Sequence, residues 1–107
     1  MVIDQYQIVL VNLDPTVGSE IRKTRPCVVI SPNELNHHLS TLVVAPMTST
    51  LRTYPTRVAI QHANKKGMVA LDQLRTIDKK RIVKVYTSVA PKTIQQIKQV
   101  LKETFVD

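Results

Sequence analysis

The chain has 107 residues, a formal net charge of +7 and 43% hydrophobic residues. This length favours a single domain over residues 1–107, and the hydrophobic content excludes intrinsic disorder. No apolar run reaches the roughly 18 residues of a membrane-spanning helix, and the first residues lack the pattern of a secretory signal. The single cysteine, Cys27, excludes an internal disulfide and a multi-cysteine zinc site. We therefore expect a basic cytoplasmic domain, not associated with membranes, whose charge suits a polyanionic partner.

Six stretches rich in valine and isoleucine have the length and composition of β-strands. They span residues 7–13, 26–31, 41–47, 56–61, 67–71 and 82–87. In the fourth stretch Val58 and Ile60 alternate with Arg57, Ala59 and Gln61, which predicts a strand with one solvent-facing side. Residues 26–30 and 42–45 do not alternate, so we expect both faces of those strands to be covered.

Helical periodicity appears only near the end of the chain. Pro91 suits the first position of a helix, where its missing N–H is not needed. A short helix at 32–39 and one helical turn at 78–81, with Asp78 as N-cap, are also predicted. This combination indicates an α+β fold, a small and partly open barrel that is mainly β with a docked C-terminal helix. The apolar stripe of this C-terminal helix consists of Ile94, Ile97, Val100, Leu101 and Phe105.

The twelve-residue connection at 14–25 is long for a hairpin and is the most unusual segment of the chain. It carries Arg22, Lys23 and Arg25, and a solvated loop with a chance charge cluster is an alternative interpretation. Arg25 precedes Pro26 at the start of an apolar strand, so the sheet edge should fix its position. A guanidinium held there offers a permanent charge and a forked set of donors that suits a phosphate.

Three hydroxyl residues, Thr48, Ser49 and Thr50, follow the apolar strand that Pro46 interrupts. They could simply satisfy backbone groups at a strand end. Thr48 could instead orient a phosphate oxygen or a ribose hydroxyl, provided that Arg25 lies beside it.

A third polar group ends the apolar stretch at 67–71. Asp72, Gln73 and Arg75 offer carboxylate, amide and guanidinium groups of the kind that bind single-stranded RNA. The alternatives are a local ion pair between Asp72 and Arg75 and a helix start at 76–78. The basic residues at 79–81 should form an exposed face or an added attraction for nucleic acid.

The remaining reactive residue types favour structural roles. His37, His38 and His62 have no spacing that makes a metal site or a catalytic dyad, so we expect no catalytic histidine. Cys27 lies within an apolar strand and should be a small buried hydrophobe. Four aromatic residues, Tyr6, Tyr54, Tyr86 and Phe105, are too scattered for an aromatic RNA-stacking platform.

The polar segments, taken in order and spacing, resemble the MazF/PemK family of toxins, the RNA-cleaving halves of bacterial toxin–antitoxin pairs. The resemblance runs from about residue 7 to 104. It is carried by residues 13–20 (LDPTVGSE), 23–32 (KTRPCVVISP), 44–49 (VAPMTS) and 69–78 (VALDQLRTID).

The resemblance implies an SH3-like barrel, a homodimer, and metal-independent cleavage of single-stranded RNA without a cofactor. It assigns catalysis to Arg25 and Thr48, and it implies an antitoxin partner with an acidic, flexible tail. The apolar stripe of the C-terminal helix, at Ile94, Ile97 and Leu101, could contribute to the dimer contact. The predicted RNA-binding residues are Ser19, Glu20, Lys23, Ser49, Asp72, Gln73 and Arg75.

The chain departs from the family pattern at three places. Gln5 and Tyr6 stand where the family often has a Gly-Asp pair, and residues 62–66 form a short basic segment. Ala70 stands where one branch has an arginine, so the catalytic assignment of that branch does not transfer.

The mechanism implied is attack by the RNA 2′-hydroxyl, which gives a 2′,3′-cyclic phosphate and a 5′-hydroxyl. Arg25 would stabilise the transition-state charge, a contribution of about 3 kcal/mol for one donor, while Thr48 positions an oxygen. Two rival functions are a non-catalytic SH3-like nucleic-acid-binding module and a gyrase-poisoning toxin of the CcdB type. The second group depends on a tryptophan near its C-terminus, and this chain has no tryptophan.

Overall fold

The computed structural model describes residues 2–14, 18, 20 and 23–106. The predicted RNA contact Ser19 and the loop residue Arg22 lie outside the described residues. The described part contains seven strands, two α-helices and two short 3₁₀ turns, at Leu71–Gln73 and Lys79–Arg81. In chain order, the strands and helices are β1 (Gln7–Asn12), β2 (Thr24–Val29), α1 (Asn33–Asn36), β3 (Thr41–Thr48), β4 (Arg57–His62), β5 (Lys65–Ala70), β6 (Arg75–Asp78), β7 (Ile82–Ser88) and α2 (Pro91–Phe105).

All six predicted strands are present, with ends shifted by one or two residues. The prediction missed β6, because only Ile77 of its four residues is buried and the strand carries no apolar run. The helix predicted at 32–39 is confined to Asn33–Asn36. The turn predicted at 78–81 is confirmed as a 3₁₀ turn, with the Asp78 carboxylate accepting a hydrogen bond from the Lys80 N–H at 2.8 Å.

The strands follow the order β4-β5-β3-β2-β1-β7, and every paired neighbour is antiparallel. The first half of β3 also pairs with β6, whereas its last two residues pair with β5, Met47 with Val69 and Thr48 with Met68. The result is a mostly β half-barrel closed by the C-terminal helix, as predicted. Because β3 joins the two parts of the sheet, its end lies where several strands converge.

Two apolar clusters cover opposite faces of β1, β2 and β3. Along β2, Val28 lies in one cluster while Cys27 and Val29 lie in the other, which confirms that both faces of this strand are covered. In β4, Val58 and Ile60 are buried and Ala59 and Gln61 exposed, so the predicted alternation holds there.

Helix α2 begins at Pro91 and packs on the cluster that contains Val28. Ile97 is completely buried, and Ile94, Val100 and Leu101 are partly buried against the same cluster. Phe105, in contrast, is 59% exposed, so the predicted stripe is wrong at its last member. The dimer contact predicted for Ile97 is also wrong, because this side chain is enclosed within its own protomer. No helix in the described part of the chain is both long and apolar enough to cross a membrane.

Candidate active site

The ends of β2 and β3 bring Arg25 and Thr48 into one open cleft. Cys27 pairs with Pro46 in the antiparallel register, and this register continued by two residues places Arg25 across from Thr48. Both residues line the same cleft of about 350 Å³, which we call the Arg25 cleft. The binding role predicted for Thr48 requires that Arg25 lie beside it. The structure meets this condition.

The sheet fixes the backbone of Arg25. Arg25 pairs with Val11 on β1, and its carbonyl accepts a weak hydrogen bond from the Cys27 thiol at 3.5 Å. Burial raises the pKa of that thiol to about 12, so Cys27 stays protonated near neutral pH. Cys27 is completely buried, which confirms that it serves as a small hydrophobe beneath the cleft.

Thr48 ends β3 with its hydroxyl at the cleft. The Thr48 Oγ1 accepts a hydrogen bond from the Thr50 N–H at 3.2 Å, so the hydroxyl proton can still be donated to another oxygen. Gly67 of β5 lies directly behind this segment. A Cβ atom at Gly67 would come within 2.8 Å of the Thr48 carbonyl oxygen, a distance that real Cβ atoms essentially never show. The glycine therefore allows the close approach that positions Thr48.

The β4–β5 hairpin forms the opposite wall of the Arg25 cleft. Its two-residue turn, Ala63-Asn64, has positive φ at both residues, 52° and 62°, the backbone that a tight hairpin requires. The turn places three basic residues on the cleft, namely His62, Lys65 and Lys66. Sequence reasoning noted this short basic segment without assigning it to the site.

His62 is half-buried and packs against Tyr86 of β7. The two ring centroids are 4.7 Å apart in an edge-to-face arrangement, with the planes at 73°. The Lys84 Nζ atom lies 5.1 Å from the centroid of the Tyr86 ring. Of the described residues that line the cleft, Arg25, His62, Lys65 and Lys66 are basic and none is acidic, an arrangement suited to a phosphate backbone.

A second pocket of about 350 Å³ collects four of the predicted RNA-binding residues, and we call it the Asp72 pocket. Pro46 contributes to its lining, one residue before Met47, which lines the Arg25 cleft. The two depressions are therefore lined by successive residues of the same strand, β3. The predicted residues in the Asp72 pocket are Glu20, Asp72, Gln73 and Arg75.

Asp72 forms a salt bridge with Arg57. The Arg57 Nε donates to Asp72 Oδ1 at 2.8 Å and its Nη2 donates to Oδ2 at 3.2 Å, while the Thr56 hydroxyl donates to Oδ1 at 3.1 Å. The hydrogen bond from Arg57 is the main reason that the pKa of Asp72 is lowered, and the same bond raises the pKa of Arg57. The Arg57 side chain is only 8% exposed, so the solvent exposure that the sequence predicted at this position is wrong.

The alternative of an ion pair between Asp72 and Arg75 is wrong. Arg57 pairs with Ala70 across the β4–β5 register, which brings its guanidinium to Asp72 just after β5. The Arg75 Nη1 instead donates to the Leu13 carbonyl at 2.9 Å. The alternative of a helix start at 76–78 is also wrong, since these residues belong to β6.

Two of the three basic side chains at 79–81 donate hydrogen bonds to backbone carbonyls of the protein. Lys79 is partly buried and its Nζ donates to the Asn36 carbonyl, while Arg81 donates through Nη1 to the carbonyls of Asn12 and Asp14. Only Lys80 is classed as exposed. The expectation of one exposed basic face is therefore wrong for Lys79 and Arg81.

The remaining predicted residues are placed as follows. Ser49 lines the Arg25 cleft. Lys23 is exposed just before β2, where its N–H donates to Asp14 Oδ1 at 3.0 Å and its carbonyl accepts from the Leu13 N–H. His37 contacts Asp4 Oδ1 at 2.9 Å. Within residues 2–14, 18, 20 and 23–106, no three His, Cys, Asp or Glu side chains form a group that could hold a metal ion.

The fold and the site together define a small half-barrel domain with a basic cleft at the convergence of its central strands. Comparison with known families identifies it more closely. The model of the PemK-like, MazF-like toxins of type II toxin–antitoxin systems matches residues 4–105. The chain belongs to this family.

Individual relatives agree with this assignment. The endoribonuclease toxin MazF of Escherichia coli is 33% identical over 96 residues, which cover 89% of this chain and 86% of that protein. The crystal structure of MazF from Deinococcus radiodurans has a TM-score of 0.84 at 25% identity and covers 96% of both chains. A mycobacterial endoribonuclease in complex with its cognate antitoxin has a TM-score of 0.80 at 25% identity, covering 94% of this chain and 92% of that one.

Proposed function

We propose that this toxin is a sequence-selective endoribonuclease that cleaves single-stranded mRNA at the Arg25 cleft, without a metal ion, and so arrests translation and growth. The observation that carries this proposal is the meeting of Arg25 and Thr48 in one basic cleft. Membership of the toxin family and the endoribonuclease names of its relatives support the same activity.

The proposed reaction begins with attack of the RNA 2′-hydroxyl oxygen on the adjacent phosphorus, followed by loss of the 5′-oxygen. Negative charge concentrates on the non-bridging phosphate oxygens, and the fixed forked donors of Arg25 match that charge. An arginine is a poor proton acceptor because its pKa exceeds about 12. Arg25 therefore stabilises charge, while the Thr48 hydroxyl positions the nucleophile or a phosphate oxygen.

RNA on either side of the cleaved phosphate would extend along β3 into the Asp72 pocket. Gln73 and Glu20 offer amide and carboxylate groups to base edges. Two hydrogen bonds from Arg57 fix the orientation of the Asp72 carboxylate. Arg75, which is fixed to Leu13, would shape the wall of this pocket. Further RNA contacts are proposed for Ser19, Lys23 and Ser49.

The proposed assembly is a cytoplasmic homodimer, with residues 1–107 as one toxin domain, inhibited by an antitoxin. The formal charge of +7 favours an acidic, flexible antitoxin segment that competes with RNA for the basic cleft. The mycobacterial neighbour in complex with its cognate antitoxin supports a partner of this kind.

The test is incubation of the purified protein with a long single-stranded RNA in EDTA, followed by mapping of the RNA ends. Arg25→Ala is compared with Arg52→Ala, which removes the same charge from an exposed position outside the cleft. We expect cuts at a short recurring sequence with cyclic-phosphate ends, abolished only by Arg25→Ala. Intact RNA with salt-sensitive binding would instead indicate a non-catalytic binding module.

A further inference from the structure

The Arg25 cleft is lined by an imidazole, that of His62, to which neither the sequence motifs nor the family resemblance assigns a role. We propose that the imidazole of His62 accepts the proton of the RNA 2′-hydroxyl during cleavage. This inference rests on the proposed ribonuclease activity and adds the base which that reaction requires, since Arg25 and Thr48 supply charge and position but no proton acceptor.

The position of His62 follows from the hairpin. It is the last residue of β4 and pairs with Lys65 across the tight turn, and it lines the same cleft as Arg25 and Thr48. The edge-to-face contact with Tyr86 restricts the imidazole ring while leaving it half-buried at the cleft. A ring held in this way can present a nitrogen to a bound ribose.

The other ionisable side chains around His62 are poorly suited to take this proton. Arg25, Lys65 and Lys66 line the cleft as cations, and Lys84 lies beyond the Tyr86 ring. The Tyr86 phenol is a weak base, and Glu20 lines the adjacent Asp72 pocket. Imidazole is the side chain whose protonation ordinarily changes near neutral pH, which makes it the most effective base of this set.

The step balances without any further reactant. The 2′-O–H bond breaks and its proton passes to a ring nitrogen of His62 as the 2′-oxygen forms a bond to phosphorus. The P–O5′ bond then breaks, the 5′-oxygen takes a proton from water, and His62 returns its proton to solvent. The products are a 2′,3′-cyclic phosphate and a 5′-hydroxyl, and Arg25 balances the phosphate charge throughout.

The experiment measures single-turnover cleavage of a short RNA substrate from pH about 5 to about 9, with binding measured separately. We expect His62→Gln to lower the cleavage rate about 100-fold with little change in RNA affinity, and to remove the rising limb of the rate against pH. Added imidazole should partly restore cleavage by His62→Ala, which a purely structural role would not allow. His38→Gln, which changes an exposed histidine outside the cleft, serves as the matched control.

Three results would overturn the proposal in distinguishable ways. A His62→Gln variant with the wild-type rate and pH profile would exclude a proton-transfer role while leaving the ribonuclease activity intact. Loss of the rising limb in Glu20→Gln, with the limb retained in His62→Gln, would assign the base to Glu20. If wild-type protein, folded and bound to RNA, cleaved nothing at any pH, the proposed function itself would be wrong.

Discussion

The Arg25 cleft and the Asp72 pocket have the same volume, about 350 Å³, and both are lined in part by β3, yet their charged side chains are arranged differently. In the pocket, the Asp72 carboxylate is bound by Arg57, and the Arg75 guanidinium is bound by the Leu13 carbonyl. The described residues that line the cleft contribute basic side chains and hydroxyls and no carboxylate. Two charged side chains of the pocket are thus paired within the protein, whereas the cleft carries an excess of positive charge.

RNA cleavage requires two tasks, and the two regions suit different ones. Groups locked by their own protein partners keep a fixed shape, which suits recognition of base edges. A concentration of positive charge suits the transition state, where negative charge develops on phosphate oxygens. We therefore propose that chemistry takes place in the Arg25 cleft and sequence recognition in the Asp72 pocket, and the predictions below test that division.

The largest effect is expected from Arg25→Lys, which keeps the charge of the cleft but removes the forked donor. We expect the cleavage rate to fall about 100-fold, because a single ammonium cannot make the same paired contacts to the phosphate. RNA affinity should change little. Arg52→Lys is the matched control, and near-wild-type cleavage by Arg25→Lys would show that charge alone is sufficient.

A smaller loss is expected from Gly67→Ala, which acts on the cleft through Thr48. The added methyl group meets the Thr48 carbonyl at 2.8 Å, so the strand end must move. We expect cleavage to fall about tenfold or more and the free energy of unfolding to fall by about 1–3 kcal/mol. Unchanged cleavage and thermal stability would show that the close approach of β5 does not position Thr48.

Removal of the Asp72 charge should lower the stability of the protein. Asp72→Asn leaves the largely buried Arg57 without its anionic partner, and we expect a loss of about 1–2 kcal/mol because Asp72 itself is 34% exposed. Urea unfolding near neutral pH measures this difference.

The stability contributed by the Arg57–Asp72 salt bridge depends on pH. The pKa of Asp72 is lowered in the folded state, so its stabilisation is complete above the ordinary carboxyl pKa of about 3.9 and is lost as pH falls through the lowered value. The difference between wild type and Asp72→Asn should therefore shrink towards zero in strong acid. A difference that stays constant with pH would contradict the salt bridge.

The smallest effect on the free energy of unfolding is expected from a substitution in the β4–β5 turn. Ala63 has φ of 52°, a conformation that costs an L-residue with a Cβ atom about 1 kcal/mol. Ala63→Gly should raise the free energy of unfolding by about 0.5–1 kcal/mol and leave the cleavage rate unchanged. A decrease in stability would show that flexibility of the unfolded chain outweighs the relieved strain.

Local patterns were sufficient to predict most of the fold. The Val- and Ile-rich stretches identified six strands, and Pro91 with the apolar stripe identified α2, because these signals lie within a few residues of one another. Strand β6 has only Ile77 in the core, so its composition does not predict a strand. Pairing with β3 holds these residues in the strand conformation.

The partners within the site could be predicted only in part. The motifs singled out Arg25 and Thr48, and the structure places both in one cleft, while their roles in catalysis are still predictions. The bond between Arg57 and Asp72 depends on the β4–β5 register, so neighbouring positions in the sequence suggested Arg75 instead. His62 was set aside because its spacing along the sequence makes neither a metal site nor a catalytic dyad, whereas its contact with Tyr86 joins strands that are distant in sequence.

The most direct test of the divided site compares Thr48→Val with Gln73→Ala in single-turnover cleavage and in RNA binding. Thr48→Val should lower the cleavage rate at saturating protein while leaving the Kd unchanged. Gln73→Ala should raise the Kd while leaving the saturated rate unchanged. If Gln73→Ala instead reduced the saturated rate as strongly as Thr48→Val, with no effect on Kd, chemistry and recognition would not be divided between the two regions.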